Sequence, residues 1–179
     1  MAKSAGVTVT RLISVADATE LADLINANRE FMRPFEPPRA PSFYTAEGQL
    51  AGLEDALDRH SQGSTLPHVI VDSGRIAGRI TLNGIVRGPF LSCSVGYWVS
   101  QDANGRGLAT AALREIIGIA FGRLRLHRIQ AETLLHNTAS QRVLARNGFE
   151  RIGMAPAYLH IGGAWQDHIL FQLLNPAMS

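Results

Sequence analysis

The stretch from Gly96 to Thr110 constrains this chain most. An apolar strand pattern, Gly96-Tyr97-Trp98-Val99, runs into a loop holding Gly105 and Gly107, and a helix pattern starts directly behind it. Glycines in that loop let the backbone turn tightly and approach a ligand with no Cβ in the way. The first N–H groups of the helix, around Leu108, Ala109 and Thr110, lack intrahelical acceptors and carry the positive end of the helix dipole. Such a loop is either a plain turn or a seat for a phosphate. Two glycines do not choose between these, so the rest of the chain must.

Behind the loop, Ala109, Ala112, Leu113, Ile116, Ile117, Ala120 and Phe121 recur at helical spacing. His127–Leu134 then reads as a strand, which a helical crossover makes parallel to the strand ending at Val99. Upstream, Val7–Leu12 alternates as a strand, and Ser14 with Asp17 forms a short-side-chain capping box for a helix to about Arg29. Prolines 34, 37, 38 and 41 exclude regular structure from Phe31 to Pro41. That segment is either a cover for the core or a substrate-contacting loop. A second helix is expected from Thr45 to Arg59. His68–Val71 and Arg75–Leu82 read as a hairpin about Asp72-Ser73-Gly74, and Phe90–Val99 as a third antiparallel strand. Gly96 in mid-strand marks a bulge or a close approach. Thr138 and Gln141 suggest a capping box for a short helix closed by Asn147-Gly148. Trp165–Leu173 reads as a last strand, with Gly153–Gly163 as loop. No repeat or linker divides the chain, so residues 1–179 form one α/β domain.

Composition narrows the function classes. A net charge of +2 is too small to point to nucleic acid, and no apolar run reaches the ~18 residues of a membrane span. The single cysteine, Cys93, excludes an internal disulfide and a cysteine-ligated zinc, and fits a reducing compartment. His127, His136, His160 and His168 show no metal-ligand spacing with acids, so no metal is expected. The short polar amino terminus carries no signal-peptide pattern. A soluble cytoplasmic protein, monomer or homodimer, is the expectation.

Three further stretches join the loop. Asn137-Thr138-Ala139-Ser140 is followed by Arg146-Asn147-Gly148-Phe149, Tyr158 precedes Gly162-Gly163-Ala164-Trp165-Gln166-Asp167-His168, and Phe31-Met32-Arg33-Pro34-Phe35-Glu36-Pro37 lies upstream. With Asn104-Gly105-Arg106-Gly107-Leu108-Ala109, these stretches resemble the motifs of the GCN5-related N-acetyltransferases (GNAT). They are most similar to the ribosomal-protein alanine N-acetyltransferase branch, the RimJ/RimL type. Asn104 stands where the family usually has Gln or Arg. The resemblance implies a mixed, mostly antiparallel twisted sheet of about seven strands with about four flanking helices. Two parallel strands would splay apart to admit acetyl-CoA. It implies that Asn104, Gly105, Arg106, Gly107, Leu108, Ala109 and Thr110 hold the pyrophosphate, with Arg142 as a further phosphate contact. Backbone groups of Tyr97, Trp98 and Val99 would pair with the pantetheine arm, an N–H near Trp98 would face the thioester oxygen, and Asn137 would also bind the arm.

Ser140 is implied as the proton donor to the departing thiolate, with Tyr158 as a second candidate. Each has a plainer reading: a first-turn helix residue for Ser140, a buried structural phenol for Tyr158, a strand end for Asn137. The general base is missing from its usual places. Phe90–Val99 has no carboxylate, and Ala157 stands where some of the branch carry glutamate. Glu132 and Asp167 remain, each also suited to a salt bridge or a cap. An α-amine of pKa ~7.8 is roughly a third neutral near pH 7.4, and a lysine near 10.4 only about one part in a thousand. A weak base therefore favours an N-terminal amine of a protein or peptide. A small amine such as an aminoglycoside or polyamine, or binding of acyl-CoA without catalysis, are the alternatives.

Overall fold

A computed structural model describes residues 9–178. Val7 and Thr8, expected to open the first strand, lie outside the described residues. The strand itself is β1, Thr10–Leu12. Ser14 and Asp17 make the expected capping box, closing a 3-10 turn that leads into α1, Ala18–Ala27. Asp17 also receives both guanidinium nitrogens of Arg11, at 2.8 and 2.9 Å. The proline-rich segment is less irregular than expected. Arg29–Met32 forms a one-and-a-bit-turn helix, α2, ahead of the first proline, and Pro41 opens a 3-10 turn to Tyr44. Proline is tolerated at a first helical position because its missing N–H would have been unpaired there anyway. Thr45 caps α3, Ala46–Ser61, through its side chain on the Gly48 N–H.

A seven-stranded sheet follows, in the order β1-β2-β3-β4-β5-β7-β6. Its strands are β2 (Leu66–Asp72), β3 (Arg75–Val86), β4 (Ser92–Val99), β5 (Arg128–Leu134), β6 (Glu150–Ile161) and β7 (Ala164–Leu174). All neighbours are antiparallel except β4 and β5, which α4 (Leu108–Gly118) connects as a parallel crossover. Gly153–Gly163, expected as loop, is instead mostly strand, since β6 runs from Glu150 to Ile161. Its glycine, proline and exposed positions hide the alternation, and a register irregularity between Ala155 and Leu159 breaks it further. There Ala157 adopts a φ of 48°, and its N–H is taken by Asp167 Oδ1 at 2.8 Å.

Each face of the sheet is covered. Leu21, Leu53, Val69 and Ile76 form the core beneath α1 and α3. On the other face Ile80, Leu82, Leu113, Ile116, Ile129 and Leu144 pack beneath α4 and α5, Thr138–Arg146. Several of these side chains have no solvent exposure at all, and each such Leu or Ile contributes about 1.5–3 kcal/mol relative to an exposed one. The helix pattern to Phe121 ends in a π-turn over Ile119–Arg123, which reels in the chain before β5.

Candidate active site

Parallel pairing of β4 with β5 covers only Ser92–Ser94 against Arg128–Gln130. Beyond Ser94 the strands part, and the β5-facing edge of Val95–Val99 has no strand partner among the described residues. The expected opening is therefore present, but not through a bulge at Gly96. Gly96 sits in regular register opposite Thr81, and the irregularity on this strand pair lies between Asn83 and Val86. Gly96 is instead exposed and lines a cavity at the opening, and a Cβ added to it would meet nothing closer than Asn83 Nδ2 at 3.9 Å.

At one end of the opening, Gly105 and Gly107 have φ of 75° and 81°, values that disfavour any side chain. Gly107 caps α4, and its carbonyl accepts from Ala111. The N–H groups of Leu108, Ala109 and Thr110 have no acceptor among the described residues. They line a cavity of about 160 Å³ together with Arg142 and Arg146 of α5. Unpaired donors, a helix N-terminus and two guanidinium groups fit a pyrophosphate. Arg146 was not among the residues singled out from the sequence, although its spacing of four from Arg142 puts both on one helical face. Arg106 is placed elsewhere: its guanidinium pairs with Asp72 at 2.6 Å, tying the loop to the β2–β3 turn. Arg106 does not line the cradle cavity, although its neighbours Gly105 and Gly107 do.

The cradle opens into a cavity of about 320 Å³ lined by Phe31, Tyr97, Trp98, Val99 and Asn104, which shares Ala109, Ala139 and Val143 with it. A third cavity of about 170 Å³ lies beyond, and Met32, Phe35, Tyr97, Asn137 and Ser140 line both. The proline-rich segment is thus a wall of the site through Phe31, Met32 and Phe35, as well as a cover. Asn137, not Thr138, caps α5: its Oδ1 accepts from the Ser140 N–H at 3.1 Å. The expected box fails because Gln141 turns back to the Leu134 and Leu135 carbonyls. Capping uses the carbonyl of Asn137 and leaves its amide NH₂ for a ligand.

Ser140 stands at the seam of the two cavities, with Oγ 2.9 Å from the Tyr97 hydroxyl. Burial pushes the Tyr97 phenol up to about 12, against a smaller opposing effect of Ser140. The phenol is therefore protonated at neutral pH and able to donate. Sequence reasoning assigned Tyr97 a backbone role and missed this side chain. Tyr158 is not brought into the group. It is 43% exposed, stands against the His168 ring with centroids 5.6 Å apart, and lines none of these cavities. The buried-phenol reading fails too.

In the 170 Å³ cavity a carboxylate does appear. Glu132 makes no hydrogen bond or ion pair among the described residues, and burial raises its pKa while the nearby His168 partly opposes that. Asp167 is occupied as the Ala157 cap. The buried Thr133 hydroxyl, of a residue that lines the same cavity, also has no partner among the described residues. Cys93 is buried, with its thiol pushed up to about 12, so it is no nucleophile here. Among the described residues no cluster of His, Cys, Asp and Glu could hold a metal ion, and no helix is long and apolar enough to cross a membrane.

An unpaired set of helix N–H groups beside two arginines, a free strand edge and a hydroxyl between two cavities fit a coenzyme-A-dependent acyltransferase site. The chain belongs to the GNAT family: the acetyltransferase (GNAT) domain model matches residues 8–150. It is similar to the [ribosomal protein uS5]-alanine N-acetyltransferase of Escherichia coli, 38% identical over 94% of this chain and 88% of that protein. Ribosomal-protein-S5-alanine acetyltransferase from Vibrio fischeri superposes with a TM-score of 0.91 at 35% identity, over 95% of this chain and 94% of the other. Mycobacterium smegmatis RimJ, solved in complex with CoA-disulfide, gives 0.91 at 30% identity over 94% and 82%. This chain is an acetyl-CoA-dependent N-acetyltransferase.

Proposed function

We propose that the acceptor is the α-amine of a protein amino terminus, that of a ribosomal protein in the cytoplasm, and that Ser140 and Glu132 serve the two proton transfers. The observation that carries this reading is the placement of Ser140 at the seam, with Glu132 in the cavity beyond it. Acyl transfer needs the amine to lose a proton and the thiolate to gain one. Glu132, with a raised pKa and no ion pair, suits the first task, directly or through a water. Ser140 suits the second, its oxygen held by Tyr97 so that its own hydrogen can point along the channel. The cradle N–H groups, Arg142 and Arg146 would hold the pyrophosphate, and the free edge of β4 from Tyr97 to Val99 would pair with the pantetheine amides. A main-chain N–H near Trp98 would stabilise the developing oxyanion. The identity with the uS5-alanine enzyme supports a protein terminus as acceptor.

The test is acetyl-CoA turnover against a panel: peptides copying ribosomal-protein termini, the same peptides with blocked termini and a free lysine, an aminoglycoside and a polyamine. Thiol release together with a mass shift on the α-amine of the unblocked peptides is expected. Turnover confined to the small amines would overturn the proposal.

A further inference from the structure

We propose that a fourth cavity, bordered by Arg29, Arg33 and Arg39, binds an acidic side chain of the acceptor peptide just behind its amino terminus. This rests on the protein-terminus reading above. The cavity measures about 390 Å³ and lies between the α2 segment and the Gly162-Gly163 turn of the β6–β7 hairpin. Its walls continue those of the acceptor-side cavity residue by residue. Met32 and Phe35 line that cavity while Arg33 and Glu36 line this one, and across the gap Ile161 lines the first and Gly162 the second. A chain entering beside Glu132 with its amine first passes this cavity with the next few residues, at ~3.3 Å per residue when extended.

The charge there is unbalanced. Arg29 lies over the Tyr44 ring, 4.1 Å from its centroid, and has no acidic partner among the described residues. Stacking holds the guanidinium in place and leaves its edge donors free. Arg39, over the Phe43 ring at 4.6 Å, shares Glu36 at 3.8 Å. Arg33 pairs at 3.4 Å with Glu30, both about three-quarters exposed, where screening leaves such a pair weak. Burial raises the Glu36 carboxyl, the one acid on the wall. Arg79 is held below its ordinary value by its own burial, then by Arg39 and Arg59, with Asp17 acting the other way. A carboxylate accepts a guanidinium fork well. An RNA backbone needs a long stripe of cations instead, which a concave site on a chain of net charge +2 does not offer.

The test uses the intact enzyme and alanine-terminal peptides identical except at the second to fifth residues, which carry Asp/Glu, Asn/Gln or Lys. Acidic peptides are expected to show kcat/KM about tenfold above the neutral ones, through KM, with the advantage shrinking as salt is raised. Arg29→Glu should reverse the order while acetyl-CoA affinity stays the same. Equal kcat/KM across the series overturns this inference and leaves the α-amine reading standing. Failure of every α-amine peptide overturns both. Binding of an RNA oligonucleotide that Arg29→Glu abolishes, without any peptide preference, assigns the cavity to nucleic acid and also overturns it. The wild-type series decides even if the variant does not fold.

Discussion

The Tyr97 hydroxyl stands 2.9 Å from Ser140 Oγ, bridging the gap between β4 and α5 where the two parallel strands have already parted. The two residues are 43 positions apart and meet only because α4 and β5 return the chain to the same opening. If Ser140 gives its proton to sulfur, Tyr97 supports it from behind. Ser140→Ala should then lower kcat about 10²-fold with little change in acetyl-CoA affinity. Tyr97→Phe should cost less alone and add little in the double variant, since the two act as one unit. Single-turnover kinetics and calorimetry with CoA check both; an unchanged rate in Ser140→Ala removes it from the chemistry.

Gly107→Val should abolish CoA binding. The backbone φ of 81° is unfavourable for a β-branched residue, and the new side chain would lean into the space before the free N–H groups of α4. Arg142→Ala should weaken CoA about tenfold and reduce the salt dependence of binding, because one cation near the phosphates is gone. Titration of CoA at two ionic strengths distinguishes the two variants. Retained affinity in Gly107→Val would refute the cradle.

Much of this site was legible in the sequence where a local rule applies. Gly105 and Gly107 announce left-handed backbone, α4 announces itself by its apolar stripe, and Ser14 with Asp17 forms the box its spacing suggests. What stayed hidden depends on long-range placement. Arg106 looks like a phosphate ligand until Asp72, on a hairpin 34 positions earlier, takes its guanidinium. Strand β6 carries no alternation because much of it is exposed on both faces at the sheet edge. Tyr97 reads as a backbone contact and Glu132 as a carboxylate equally suited to a salt bridge, and only the parting of β4 from β5 lets both residues line one cavity.

Glu132→Gln should lower kcat on α-amine peptides about 10²-fold. Burial raises this carboxyl, so the acidic limb of the kcat profile should lie above the ordinary glutamate value. It should vanish in the variant, which cannot titrate. Acetyl-CoA affinity should be unaffected, because Glu132 lines the acceptor-side cavity and not the cradle. A profile whose acidic limb survives in Glu132→Gln assigns the base to another group.

Stability should fall on mild acidification because of His68. Its ring is buried in β2, with Nδ1 3.1 Å from Thr10 Oγ1, and its pKa drops from 6.5 to about 4. Burial is the main cause, with the charges of His60 and Arg123 adding to it. Above pH 6.5 the ring is neutral in both folded and unfolded chains and contributes no pH dependence. Between 6.5 and 4 the unfolded chain takes up the proton first, so stability is lost as pH falls. The loss is roughly 1–2 kcal/mol between pH 7 and pH 5. His68→Gln can keep a hydrogen bond to Thr10 and does not titrate, so its denaturant midpoint should vary less across this range. Equal slopes for the two proteins in urea melts at pH 7, 6 and 5 would show that the loss arises elsewhere.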